Sequence, residues 1–117
     1  MDVKKLASKR SEYRALLRNS ARKIVSRLRP LNVNKISLCG SYARGRADLF
    51  TDLDILVIMD TDKPFVERTA EIYGLLALPV DADILCYTPD EFEKMKETAF
   101  LKTILADEVV LYEKKTG

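Results

Sequence analysis

The chain has 117 residues, 47% of them apolar, enough for one domain with a modest core and too few for two. It carries no histidine and two cysteines, which excludes a zinc site or a histidine-based triad and leaves oxygen donors for any bound metal. No stretch approaches the roughly 20 apolar residues of a membrane span, and Met1–Lys5 leads into charge rather than an apolar leader, so the expectation is a cytoplasmic protein without a membrane partner.

Residues 3–28 hold no Gly or Pro and are rich in Leu, Ala, Lys and Arg, all good helix formers. Tyr13, Leu17, Ile24 and Leu28, joined by Leu16, Ala21 and Val25, recur at helical spacing and predict one long amphipathic helix. Pro30 ends it. Lys35 to Cys39 reads as a strand running into Gly40-Ser41, Tyr42 to Arg46 as a short helix, and Ala47 to Thr51 as a polar loop.

Asp52 to Met59 is the next strand, and its Ile55–Met59 run is apolar on both faces, which places it centrally in a sheet. Asp60 to Pro64 is turn chemistry. Phe65 to Leu78 has helical spacing and stops at Pro79, and Val80 to Tyr87 is a third strand. Thr88-Pro89-Asp90-Glu91 is a capping box for a helix reaching about Glu97. A further helical piece spans Ala99 to Ala106, and Glu108 to Glu113 is a closing strand. The short link between the first two strands argues for an α+β domain: a small mixed sheet of about four strands with helices packed on it. One domain over 1–117 is expected, with the basic helix at 1–30 and a core at 33–113.

Charge is unevenly placed. Residues 1–29 hold ten basic groups against Asp2 and Glu12, a net +8, and the rest of the chain sums to −6. An acidic body with a basic first helix suits an acidic partner, a nucleic acid such as RNA or a polyphosphate. A solvated helix face balancing the body is the plainer reading. The cysteines, Cys39 and Cys86, each end an apolar run and read as buried core residues. A disulfide between them requires neighbouring strands.

Asp52 and Asp54 lie two apart on a strand and so share a face, a spacing that suits carboxylates holding one or two divalent cations, Mg²⁺ or Mn²⁺. The Gly40-Ser41 turn just before them offers backbone N–H groups to phosphate. Gly40 and Gly45 fit neither a P-loop, since Arg46-Ala47 follows, nor the dinucleotide fingerprint, since position 42 is Tyr. Two-metal displacement calls for a further carboxylate beside the acceptor. Asp81 and Asp83 are the candidates, and Asp83 is chosen because it lies deeper in the apolar run, where an unpartnered carboxylate is costly.

Gly40-Ser41-Tyr42-Ala43-Arg44-Gly45 followed by Thr51-Asp52-Leu53-Asp54-Ile55-Leu56-Val57 resembles the signature of the minimal nucleotidyltransferase family. These are small members of the DNA polymerase beta-like nucleotidyltransferase superfamily. The resemblance covers about residues 33–113, with Thr51 where the family prefers serine and Tyr42 where relatives often carry arginine. It implies the nucleotidyltransferase fold and transfer of a nucleoside monophosphate, AMP foremost, from a nucleoside triphosphate such as ATP to a hydroxyl of a protein or RNA.

Carried over, Gly40, Ser41, Arg44 and Gly45 would bind nucleotide, with Arg46 in reach of the triphosphate. Asp52, Asp54 and Asp83 would be the catalytic, metal-binding acids. The family also implies a HEPN-type protein as partner in a toxin–antitoxin pair, and a homodimer is the default for so small a domain. The alternative is a nucleotide-binding module that acts by complex formation with little or no catalysis.

Overall fold

The computed structural model describes residues 2–40 and 53–115. Helix α1 spans Val3–Leu28, with Asp2 as its N-cap accepting from the Lys4 N–H. Strand β1 is Val33–Cys39, β2 is Leu53–Met59 and helix α2 is Phe65–Leu76. Strand β3 is Ala82–Tyr87, helices α3 and α4 are Pro89–Met95 and Ala99–Leu105, and β4 is Val109–Glu113. The predicted helix at Tyr42–Arg46 lies outside the described residues.

The strands form one sheet in the order β3-β2-β1-β4. β1 pairs antiparallel with both β2 and β4, whereas β2 and β3 are parallel, joined by the crossover through α2. The doubly apolar β2 is central, as its pattern requires. Several ends differ from the sequence expectation: β1 begins at Val33 rather than Lys35, and α3 and α4 end at Met95 and Leu105, one or two residues early. α2 stops at Leu76 because Ala77 turns left-handed, with φ 43°, two residues short of Leu78. β3 begins at Ala82 rather than Val80, which leaves Asp81 ahead of the strand. β4 begins at Val109 rather than Glu108.

Each sheet face has its own core. On one, Leu17, Ile24 and Leu28 of α1 and Ile72 and Leu76 of α2 pack against Ile36, Leu38, Ile55, Val57 and Ile84. On the other, α3 and α4 cover Cys39, Leu56 and Tyr87 through Leu101, with Phe92, Met95 and Ile104 around them. Cys39 and Cys86 are buried and free. They stand on strands separated by β2 and belong to opposite cores, so the condition for a disulfide is not met.

The apolar stripe of α1 is used in its second half only. Leu17, Ala21, Ile24 and Leu28 are buried, whereas Val3–Glu12 is exposed apart from half-buried Leu6. A 26-residue helix is about 39 Å long, so its basic first half extends beyond the packed region. Arg27 and Arg29 at its other end serve packing instead. Arg27 donates to the carbonyls of Leu75 and Leu76 at the end of α2, groups the helix itself leaves unpaired. The Arg29 guanidinium lies 5.6 Å from the Tyr112 ring centroid.

A second polar hub joins α2, β3 and α3. Arg68 is only 6% exposed. It donates to the Lys63 carbonyl through Nε (3.0 Å) and Nη2 (2.7 Å), to the Cys86 carbonyl, and to Glu91 Oε1 at 2.5 Å. Glu91 also completes the expected capping box, accepting from the Thr88 N–H while Thr88 Oγ accepts from the Glu91 N–H. No helix among the described residues is long and apolar enough to cross a membrane.

Candidate active site

Gly40 follows β1, Asp54 is the second residue of β2 and Asp83 the second residue of β3. The parallel register sets Asp54 directly opposite Asp83, and the antiparallel register sets Cys39 opposite Asp54. Paired residues on neighbouring strands point to one face, with backbones about 4.8 Å apart. Two carboxylates distant in sequence are thereby brought to one strand spacing. Around them opens a cleft of ≈ 490 Å³, whose walls include Cys39, Gly40, Asp54, Asp83, Leu85 and Phe100.

Gly40 has a reason to be glycine that the phosphate motif alone does not reveal. Its φ is +73°, a conformation side chains disfavour, and an ideal Cβ there would lie 2.1 Å from Oδ2 of Asp54. The bare backbone makes room for that carboxylate. The Cys39 thiol is pushed up to about 11, first by burial, then by Glu108 and Asp54, against an opposing pull from Lys35. Burial and the two carboxylates thus disfavour its thiolate form.

Asp83 departs from the expectation that chose it. It is exposed, not buried, so the cost of an unpartnered buried acid is not what marks it. Its place in the cleft opposite Asp54 is. Asp81 is also exposed; its carbonyl accepts from the Leu53 N–H at 3.1 Å, and it is absent from the cleft wall. Ser41, Arg44, Gly45, Arg46 and Asp52 lie outside the described residues.

Sequence reasoning passed over Glu108, which accepts from Ser37 Oγ at 2.6 Å and pairs with Lys35 Nζ at 2.9 Å. This acid beside Cys39 comes from the opposite end of the chain, and only the β1–β4 pairing brings it there. Tyr73 falls within the helical spacing of Phe65 to Leu78, which says nothing of its hydroxyl, and that hydroxyl binds the backbone of β3.

The sequence matches the nucleotidyltransferase domain family over residues 18–116. The chain belongs to that family. This nucleotidyltransferase is also similar in fold to solved structures. One is a mutant of the toxin–antitoxin MntA–HpeT, at 23% identity and a TM-score of 0.58 over 80% of this chain and 72% of that one. A second is the toxin–antitoxin with AMP-PNP, at 20% identity and 0.57 over 81% and 74%. A third is a candidate nucleotidyltransferase from Sulfolobus solfataricus, at 17% and 0.56 over 96% and 90%. Comparison with curated proteins finds no match.

At these identities the structural likeness carries the fold. The α+β mixed sheet expected of the nucleotidyltransferase is the one observed. The enzyme class rests on the family match.

The donor set also fits a hard divalent cation. Asp54 and Asp83 supply carboxylate oxygens on adjacent strands, the ligand type that Mg²⁺ and Mn²⁺ take. Among the described residues no group of three such side chains assembles, and Asp52, the third expected ligand, lies outside them.

Proposed function

We propose that this nucleotidyltransferase moves a nucleoside monophosphate, AMP foremost, from a nucleoside triphosphate to a hydroxyl of a protein acceptor, as the antitoxin of a HEPN-type toxin–antitoxin pair. The observation that carries the reading is the opposition of Asp54 and Asp83 in the β2–β3 register beside Gly40. The acceptor oxygen bonds to the α-phosphorus while the bond to the pyrophosphate oxygen breaks. Asp83, exposed in the cleft, stands beside the incoming hydroxyl and eases loss of its proton.

Asp52, Asp54 and Asp83 are the residues that would hold Mg²⁺. When bound, the cation supplies charge neutralisation for the phosphate oxygens and lowers the pKa of the attacking hydroxyl. Gly40, with Ser41, Arg44 and Gly45, would hold the triphosphate.

One observation supports a protein acceptor supplied by a partner: the exposed, basic first half of α1 extends from the fold as a ready docking element. The likeness to the toxin–antitoxin structures adds to this. RNA as acceptor and homodimerisation are the competing arrangements.

The test is label transfer. Protein is incubated with Mg²⁺, each α-³²P-labelled nucleoside triphosphate, and either the product of the neighbouring gene or total RNA, beside Asp54→Asn. The reading expects label on a partner protein, lost in the variant. Label on RNA moves the acceptor to nucleic acid. Tight Mg²⁺-dependent triphosphate binding with no transfer, and partner neutralisation that survives Asp54→Asn, would establish a binding module instead.

A further inference from the structure

β3 is an edge strand, so one side of its backbone has no strand partner among the described residues and would fray most readily near its ends. Asp83 is the second residue of that strand and is exposed. Neither side-chain burial nor a central place in the sheet holds it. Its position must come from its backbone.

On the side facing β2 the parallel ladder holds that backbone, beginning with the Leu53 N–H donating to the Asp81 carbonyl. In a strand, N–H and C=O groups alternate in direction along the chain, so those of Ala82 and Ile84 face the open edge. Both find the same partner. The Tyr73 hydroxyl donates to the Ala82 carbonyl at 2.7 Å and accepts from the Ile84 N–H at 3.1 Å. One hydroxyl thus uses its donor and an acceptor lone pair to replace a missing strand. The two groups it holds belong to the two peptide units that flank Asp83.

We propose that Tyr73 is a positioning residue for Asp83: by clamping both flanking peptides from the open edge, it sets the direction of the Asp83 carboxylate toward Asp54. The inference rests on the reading of Asp83 as a metal-binding acid. Tyr73 is 43% exposed and stands outside both buried core clusters, so removing its hydroxyl leaves the packing of the sheet in place.

The experiment is a double-mutant cycle on Mn²⁺ affinity, read by electron paramagnetic resonance of the free ion in the presence of a non-hydrolysable triphosphate. The four proteins are wild type, Tyr73→Phe, Asp83→Asn and the double variant. Tyr73→Phe is expected to weaken Mn²⁺ binding about tenfold, the scale for a group that orients a metal ligand. In the Asp83→Asn background the same change is expected to cost nothing further. Exchange of the Ile84 amide with solvent should rise about tenfold in Tyr73→Phe, with the melting temperature near that of the wild type.

Equal loss from Tyr73→Phe in both backgrounds, or no loss in either, overturns the positioning role while leaving the metal site standing. A wild type whose Mn²⁺ affinity does not depend on Asp83 overturns the proposed metal site, and the positioning role with it.

Discussion

Gly40 and Asp54 approach so closely that no side chain fits between them: a Cβ on Gly40 would stand 2.1 Å from Asp54 Oδ2. The backbone there has φ +73°, so two separate penalties meet any substitution. Gly40→Ala is expected to cost about 1–3 kcal/mol of stability from the left-handed conformation and the overpacking. It should also lower transfer by about 100-fold, because the carboxylate must move. Urea unfolding and the label-transfer rate check the two effects separately.

Asp83 and Asp81 are two residues apart, yet only Asp83 is opposite Asp54 and in the cleft wall. Asp83→Asn is expected to reduce transfer by about 100-fold or more, whereas Asp81→Asn should leave it within about threefold. The same Asp83→Asn change relieves one of two like charges facing each other across a strand pair, so stability should rise by about 0.2–1 kcal/mol. A rate loss in Asp81→Asn as large as that in Asp83→Asn would reverse the assignment.

Arg68 is the buried tie between α2, β3 and α3, donating to the Lys63 and Cys86 carbonyls and to Glu91. Arg68→Ala leaves those carbonyls without their donor and opens a gap. The expected loss is about 2–3 kcal/mol, measured as a lower urea midpoint with an unchanged slope.

The Glu91 carboxyl is held below its usual range, chiefly by the hydrogen bond from Arg68 and then by the Thr88 N–H. A carboxyl lowered in the folded state contributes stability that is full above its unfolded pKa, about 4.3. That stability is lost as pH falls through the lower folded value. The melting temperature should therefore decline below about pH 4 more steeply in the wild type than in Glu91→Gln. Parallel pH curves for the two proteins would remove Glu91 from the acid response.

Much of the fold was legible because it is written locally. The capping box at Thr88–Glu91, the stop after Leu28 and the buried stripe of α1 all follow from neighbouring residues and helical spacing. The end of α2 was misjudged by two residues. Leu78 continues the apolar pattern, but a left-handed Ala77 closes the helix first, and Arg27 of α1 caps the freed carbonyls. No pattern within α2 announces an arginine from another element.

The candidate site divides the same way. The Asp-x-Asp spacing and the Gly40-Ser41 turn are the grounds, from residue type alone, for expecting metal and phosphate binding. Asp83 was chosen for burial it does not have. Its actual distinction is the β2–β3 register, a relation between residues 29 positions apart.

By itself the sequence determined the types of the described elements, the doubly apolar centre of the sheet and the family. These depend on side-chain period, turn residues and composition, which act over a few residues. Tertiary structure alone decided that β2 runs parallel to β3 and antiparallel to β1. It also decided that Asp54 faces Asp83, that Gly40 must yield space to Asp54, and that Tyr73 closes the open edge. Those relations arise from pairing between distant segments, where a slip of one residue sends every side chain to the other face.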